Sequence, residues 1–91
     1  MPLFALICHD KPGHLQTRID NRPAHLDHIK TTGVVAMAGP FLDTEGQMNG
    51  SLIVLDVADL GTAQAWAAAD PYAKAGLFAN VTVTEWKKVI G

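Results

Sequence analysis

Between Leu15 and Ile29 the chain sets apolar residues at helical spacing and then interrupts them with charge. At about 100° per residue, Leu15, Ile19, Leu26 and Ile29 gather within roughly ±40° of one direction, the buried stripe of an amphipathic helix. Arg22 falls inside that stripe, Arg18 sits on its shoulder and His25 lies just beyond it, whereas Gln16, Asp20 and Asp27 point elsewhere and read as solvated. A charge carried toward an apolar face is costly unless a partner meets it. The remainder of the fold must therefore pair these groups or build a cavity that they line.

The 91 residues predict one domain, 1–91. A chain of this size buries only around 60–65% of its unfolded surface. Yet 48% of its residues are hydrophobic and 18% charged, an apolar excess that predicts a homodimer. A net charge of −2 without a basic run argues against a nucleic-acid surface, which needs clustered Lys and Arg. Cys8 is the only cysteine, so no internal disulfide forms and no oxidising compartment is required. The start, Met1-Pro2-Leu3-Phe4, lacks the basic region of a signal peptide. The longest apolar runs, Leu3 to Cys8 and Val34 to Ala38, fall far short of the ~20 residues that span a bilayer. These features predict a soluble cytoplasmic protein with no membrane partner.

Leu3 to Cys8 reads as a strand buried on both faces, because no polar residue alternates with the apolar ones. Asp10-Lys11-Pro12-Gly13 is a turn, and the helix follows from about His14 to Thr32. Pro23 inside it removes a backbone donor and predicts a kink, or two pieces with Pro23 in the first turn of the second. Gly33 ends the helix. Val34 to Pro40 is a second strand, Phe41 to Asn49 a polar loop, and Gly50 to Val57 a third strand returning antiparallel. Asp59 N-caps a helix from Leu60 to Ala69. A short turn at Asp70-Pro71-Tyr72 and a last strand from about Asn80 to Val89 complete the chain. The order β-α-β-β-α-β predicts an α+β, ferredoxin-like fold: a four-stranded antiparallel sheet with two helices on one face. The other face then holds Leu, Val and Ile side chains with no helix over them, and two such faces packed together would cover it.

Asp70 shares a helical stripe with Ala63, Trp66 and Ala67. It has two readings: a cap for the turn starting at Pro71, or a carboxylate that orients His25 and makes its other ring nitrogen a better base. One carboxylate can serve both. His25 is in turn either a core-edge histidine satisfied by a carbonyl or an acid–base group. Arg18 and Arg22 on the same shoulder suit an anion beside it, and pairing with Asp20, Asp70 or Glu85 competes with that use. Cys8 and His9 are neighbours on a strand and face opposite ways, so they form no dyad. His25 and His28 lack a third convergent ligand, and His28 points away from the core stripe, so no metal site is expected. No glycine-rich phosphate loop or dinucleotide motif is present. Trp66 and Trp86 read as core or dimer contacts.

The ordered set Asp10-Lys11-Pro12-Gly13, Arg18, Arg22-Pro23-Ala24-His25-Leu26, Ala38-Gly39-Pro40, Gly50-Ser51-Leu52, Asp70-Pro71-Tyr72, Ala75-Gly76-Leu77-Phe78 and Val83-Thr84-Glu85-Trp86 resembles the YciI-like (YCII-related) family of the dimeric α/β-barrel superfamily. The resemblance spans nearly the whole chain. It implies a dimer with facing sheets and a pocket holding a His–Asp pair, here His25 and Asp70. It also implies cofactor-free chemistry on small cyclic compounds, such as loss of chloride from a chlorinated hydroquinone. His9 departs from the pattern, since an aromatic or aliphatic residue is expected before the Asp10 turn.

The reading that results is a small enzyme, needing no cofactor or metal, that performs elimination, isomerisation or hydrolysis on a small cyclic anion. His25 and Asp70 are the catalytic candidates. Arg18, Arg22, Pro40, Ser51 and Tyr72 are the substrate-binding candidates, with Tyr72 taken as pocket lining rather than proton donor. The alternative is a non-catalytic dimeric module that binds a small ligand. A third reading is an Arg–His–Asp cluster that only satisfies itself.

Overall fold

The computed structural model describes residues 1–91. The chain forms β1 (Leu3–Asp10), α1 (Leu15–Thr32), β2 (Val35–Leu42), β3 (Met48–Asp56), α2 (Leu60–Ala69), α3 (Pro71–Lys74) and β4 (Phe78–Trp86). The strands make one sheet in the order β2-β3-β1-β4, and every neighbouring pair is antiparallel. Helix α1 therefore carries the chain from β1 past β3 to β2, and α2 with α3 carries it from β3 past β1 to β4. This is the ferredoxin-like βαββαβ arrangement. No helix is long and apolar enough to cross a membrane.

Strand β1 corrects one expectation. Phe4, Leu6 and Cys8 are at most 3% exposed, whereas the intervening Ile7 is 38% exposed. Only the face beneath the helices is fully covered, so the alternation of a strand reappears once the sheet forms. Register sets Leu6 between Ile53 on β3 and Val83 on β4. Ala63 and Trp66 of α2 complete that core against Phe4, Leu6 and Leu55. Asp59 caps α2 by accepting the Thr62 backbone N–H at 2.8 Å. That bond and the Thr62 hydroxyl hold its carboxyl below the usual range.

Helix α1 departs from its predicted orientation. Its buried side chains are Arg18 and His25, while Ile19 and Leu26 are 47% and 49% exposed. Polar partners at the end of β1 and the start of α3 turn the helix onto its charged shoulder. Pro23 does not divide the helix: α1 runs through it as one 18-residue element, not two pieces. The proline sits on the exposed side of the helix. His28, expected to point away, is clasped between helices. Its Nε2–H donates to the Trp66 carbonyl at 3.3 Å, and the two rings pack with centroids 4.4 Å apart. The Trp66 indole N–H returns to the Thr32 hydroxyl at 2.9 Å.

The loop between β2 and β3 is shorter than predicted, because Phe41, Leu42 and Met48 join the ladder. Asp43 makes this short turn workable, accepting the Glu45 and Gln47 N–H groups at 2.8 and 3.0 Å. Strand β4 is shifted toward the N-terminus relative to expectation and ends at Trp86, leaving Val89 and Ile90 exposed.

Gly50 is the tightest point in the sheet. An added Cβ there would overlap the Cys8 carbonyl oxygen and stand 3.0 Å from the Phe41 ring. Both are fixed by neighbouring strands, so neither yields easily. Gly50→Ala is expected to destabilise the protein by about 1–3 kcal/mol, read as a lower urea midpoint with an unchanged slope.

Candidate active site

Four polar side chains, Arg18, His25, Ser51 and Asp70, are buried here, and each finds a partner that offsets the cost of its burial. Asp10 is the last residue of β1, just past a register shift between His9 and Asp10. Arg18 lies one turn inside α1 and reaches back to it. Its Nε and Nη2 donate to the two Asp10 oxygens at 2.7 and 2.8 Å, the forked geometry that suits guanidinium and carboxylate. Nη2 also donates to the Ser51 hydroxyl at 3.0 Å. The two ion-pair side chains are 2% and 6% exposed. Burial alone would lower the Arg18 pKa, but the bonds and charge of Asp10 hold it above the ordinary arginine value.

A second pair sits further along α1. Asp70 stands between α2 and α3 in extended conformation (φ −60°, ψ 128°), so it ends one helix and caps the next. Pro71 enforces that break. The Asp70 Oδ1 accepts the Tyr72 backbone N–H at 3.0 Å and also faces His25 Nδ1 at 2.8 Å, with Oδ2 at 3.0 Å from the same nitrogen. Capping and contact with the histidine therefore coexist, and one oxygen takes part in both. A carboxylate at Nδ1 assigns the proton to that nitrogen. His25 Nε2 makes no hydrogen bond within the chain, yet no fully enclosed side-chain polar atom lacks one. Nε2 is therefore the nitrogen open to the space beside it.

That space is a cavity of about 120 Å³. Arg18, Arg22, His25, Ser51 and Tyr72 supply its polar lining, and Leu26, Ile29, Ala38, Pro40, Met48 and Ile53 its apolar walls. An enclosed cavity of about 150 Å³ holds one benzene; this one is somewhat smaller but open on one side, so it admits at most a single small ring. Tyr72 is 1% exposed. Its ring stacks on His25 with centroids 4.0 Å apart and planes 16° apart, and the Arg18 guanidinium carbon lies 4.6 Å from the ring centroid. Burial raises the phenol pKa, against the lowering charges of Arg18 and Arg22. Cys8 lies under the same floor, and its thiol is pushed up to about 12, mainly by burial and further by the Asp70 charge. It is no nucleophile at neutral pH.

The structure thus gathers six of the seven sequence-derived candidates around one cavity, and the seventh, Asp70, meets it through His25. It separates the two arginines. Arg18 is neutralised by Asp10, whereas Arg22 is exposed and has no carboxylate partner. None of the predicted partners Asp20, Asp70 or Glu85 pairs with either arginine. Asp10 is the residue the sequence reading missed, having been taken only as part of a turn. A carboxylate at the end of the preceding strand was the available signal. Met48 also went unnoticed, because it was placed in a loop.

A ferredoxin-like chain with a ring-sized cavity under its first helix defines the structural class. The chain belongs to the YCII-related domain family, whose sequence profile matches residues 2–87. It is 34% identical to Protein YciI of Escherichia coli O6:H1, with 96% of this chain and 98% of that protein covered. An uncharacterized Haemophilus influenzae protein is 32% identical over 94% of this chain and 97% of its own length. Among solved structures, 5-chloro-2-hydroxyhydroquinone dehydrochlorinase (TftG) from Burkholderia phenoliruptrix AC1100, in complex with 2,5-dihydroxybenzoquinone, superimposes with a TM-score of 0.87 at 34% identity and 93% coverage of both chains. An antibiotic biosynthesis monooxygenase shares the fold, with a TM-score of 0.62 at 10% identity.

Removing Asp10 would strand the buried Arg18 charge. Asp10→Ala is expected to cost about 3–5 kcal/mol, measured by urea denaturation.

Proposed function

We propose that this protein is a small enzyme that moves a proton on a small, cyclic, anionic substrate, with His25 as general base and then acid. One observation carries the reading: His25 Nδ1 is held by Asp70 while Nε2 opens on a cavity sized for a single ring. In that tautomer Nε2 presents its lone pair to a substrate, and Asp70 stabilises the imidazolium that forms. In an elimination, Nε2 takes a proton, the electron pair left behind becomes a new double bond, and the leaving group departs as an anion. No external oxidant or cofactor enters that balance. The dehydrochlorinase activity of TftG, a relative at 34% identity, supports this class of reaction.

Arg22, with no partner of its own, attracts the anionic substrate to the cavity edge. Arg18, whose charge Asp10 offsets, holds Ser51 in the wall. Pro40, Ser51 and Tyr72 complete the contact surface. The active form is a homodimer with facing sheets. Ile7, Met37 and Trp86 are 38%, 46% and 40% exposed, and by strand register they share the face opposite the helices. Packing two such faces removes that apolar area from water.

His25→Ala is expected to lower turnover of 5-chloro-2-hydroxyhydroquinone by about 10²–10⁴-fold, with native circular dichroism retained. Undiminished turnover in this variant would exclude His25 as the acid–base group. Binding of the compound without turnover in the native protein would instead favour a ligand-binding module. For the assembly, sedimentation equilibrium should give twice the 9.7 kDa chain mass, and Ile7→Glu should shift the protein to monomer.

A further inference from the structure

We propose that the Tyr72 hydroxyl donates the hydrogen bond that stabilises the negative oxygen formed on the substrate when His25 takes its proton. This deepens the acid–base reading above and rests on it. It also narrows the substrate to a ring bearing an oxygen, as carbonyl or phenol, conjugated with the site of proton removal.

The first support is rigidity. The Tyr72 ring is stacked on His25, flanked by the Arg18 guanidinium and met edge-on by Phe78, with centroids 6.0 Å apart and planes at 80°. Its backbone N–H is tied to Asp70, the same carboxylate that holds His25. Base and hydroxyl are thereby fixed relative to each other through one shared anchor. Donors that need no reorganisation are the ones that stabilise developing charge best.

The second support is a free donor. Tyr72 borders the cavity; the Arg18 guanidinium approaches its oxygen as a donor, and the O–H proton has no acceptor within the chain. The cavity that Tyr72 lines is therefore where that proton can find an acceptor. Burial outweighs the two arginines and keeps the phenol protonated at neutral pH. Arg18, which lies over the ring and donates toward the phenol oxygen, polarises the O–H and strengthens it as a donor.

The step balances without a further reactant. The substrate proton goes to His25 Nε2, and the electron pair it leaves is delocalised onto the ring oxygen. Tyr72 donates a hydrogen bond to that oxygen and keeps its own proton. When the leaving anion departs it takes the pair of its own bond to carbon, and the pair held on the oxygen returns to form the new double bond. Ser51, which accepts from Arg18, is the competing hydroxyl in the same wall and serves as the control.

Tyr72 is the only tyrosine, so the native protein can be tested without substitution. With tyrosine labelled at its phenolic carbon, 2,5-dihydroxybenzoquinone should shift the single resonance on binding; binding with no shift overturns the proposal. Tyr72→Phe, which keeps the ring, should lower kcat for 5-chloro-2-hydroxyhydroquinone by about 10²-fold with little change in KM, and Ser51→Ala should lower it less. Native kcat in Tyr72→Phe, or a loss carried by Ser51→Ala alone, overturns the proposal. If Tyr72→Phe is silent while His25→Ala is inactive, only this inference fails. If His25→Ala is fully active, or the native protein neither binds nor converts these compounds, the proposed function fails as well.

Discussion

The ion pair between Asp10 and Arg18 is the constraint on which the site depends. It joins the end of β1 to the first turns of α1, across the turn at residues 11–14. A buried ion pair of this kind contributes little net stability over a well-packed apolar alternative. Its value lies in direction. With Arg18 held inward, α1 cannot rotate its apolar stripe onto the sheet, and His25, seven residues further along, is carried inward as well. The exposed Ile19 and Leu26 are the counterpart of that orientation.

Asp70 does for the other side what Asp10 does for the first. It ends α2, caps α3 and meets His25 with the same side chain. Local chain geometry and the position of an imidazole 45 residues away in sequence are thus controlled by one carboxylate. The short helix α3 is long enough only to place Tyr72 against both His25 and Arg18. The polar floor is therefore a continuous set of contacts running from β1 through α1 to α3, with no member free to turn independently.

Much of this was legible in the sequence, for reasons specific to particular residues. Element order followed from turn and cap signals such as Asp59 and Gly33, which act locally and need no knowledge of the fold. Three polar groups on one helical shoulder announced that a cavity or a set of partners was needed. The identity of the partner to Arg18 was not legible, because helical spacing describes one element and Asp10 belongs to another. For the same reason the periodicity misjudged which face of α1 is buried: apolar moment and tertiary ion pairing point in different directions, and the pairing prevails. The two-sided apolar character of β1 suggests full burial, although its outer face, with Ile7 38% exposed, has no helix over it. His28 was misplaced because its partner, the Trp66 carbonyl, is a backbone group that no side-chain pattern reveals.

The cavity has walls of two different kinds. Its floor is locked by ion pairs and hydrogen bonds, whereas the side formed by Ala38, Gly39, Pro40 and Met48 comes from the hairpin at the margin of the sheet, where β2 has a single neighbour. Those residues hold no charge and anchor no helix. Evolution can accordingly enlarge, narrow or reshape the chamber along this margin while the ion-paired floor stays intact. Proteins built on this scaffold can differ in what the chamber admits without rebuilding its floor, and the hairpin is where that difference would be written.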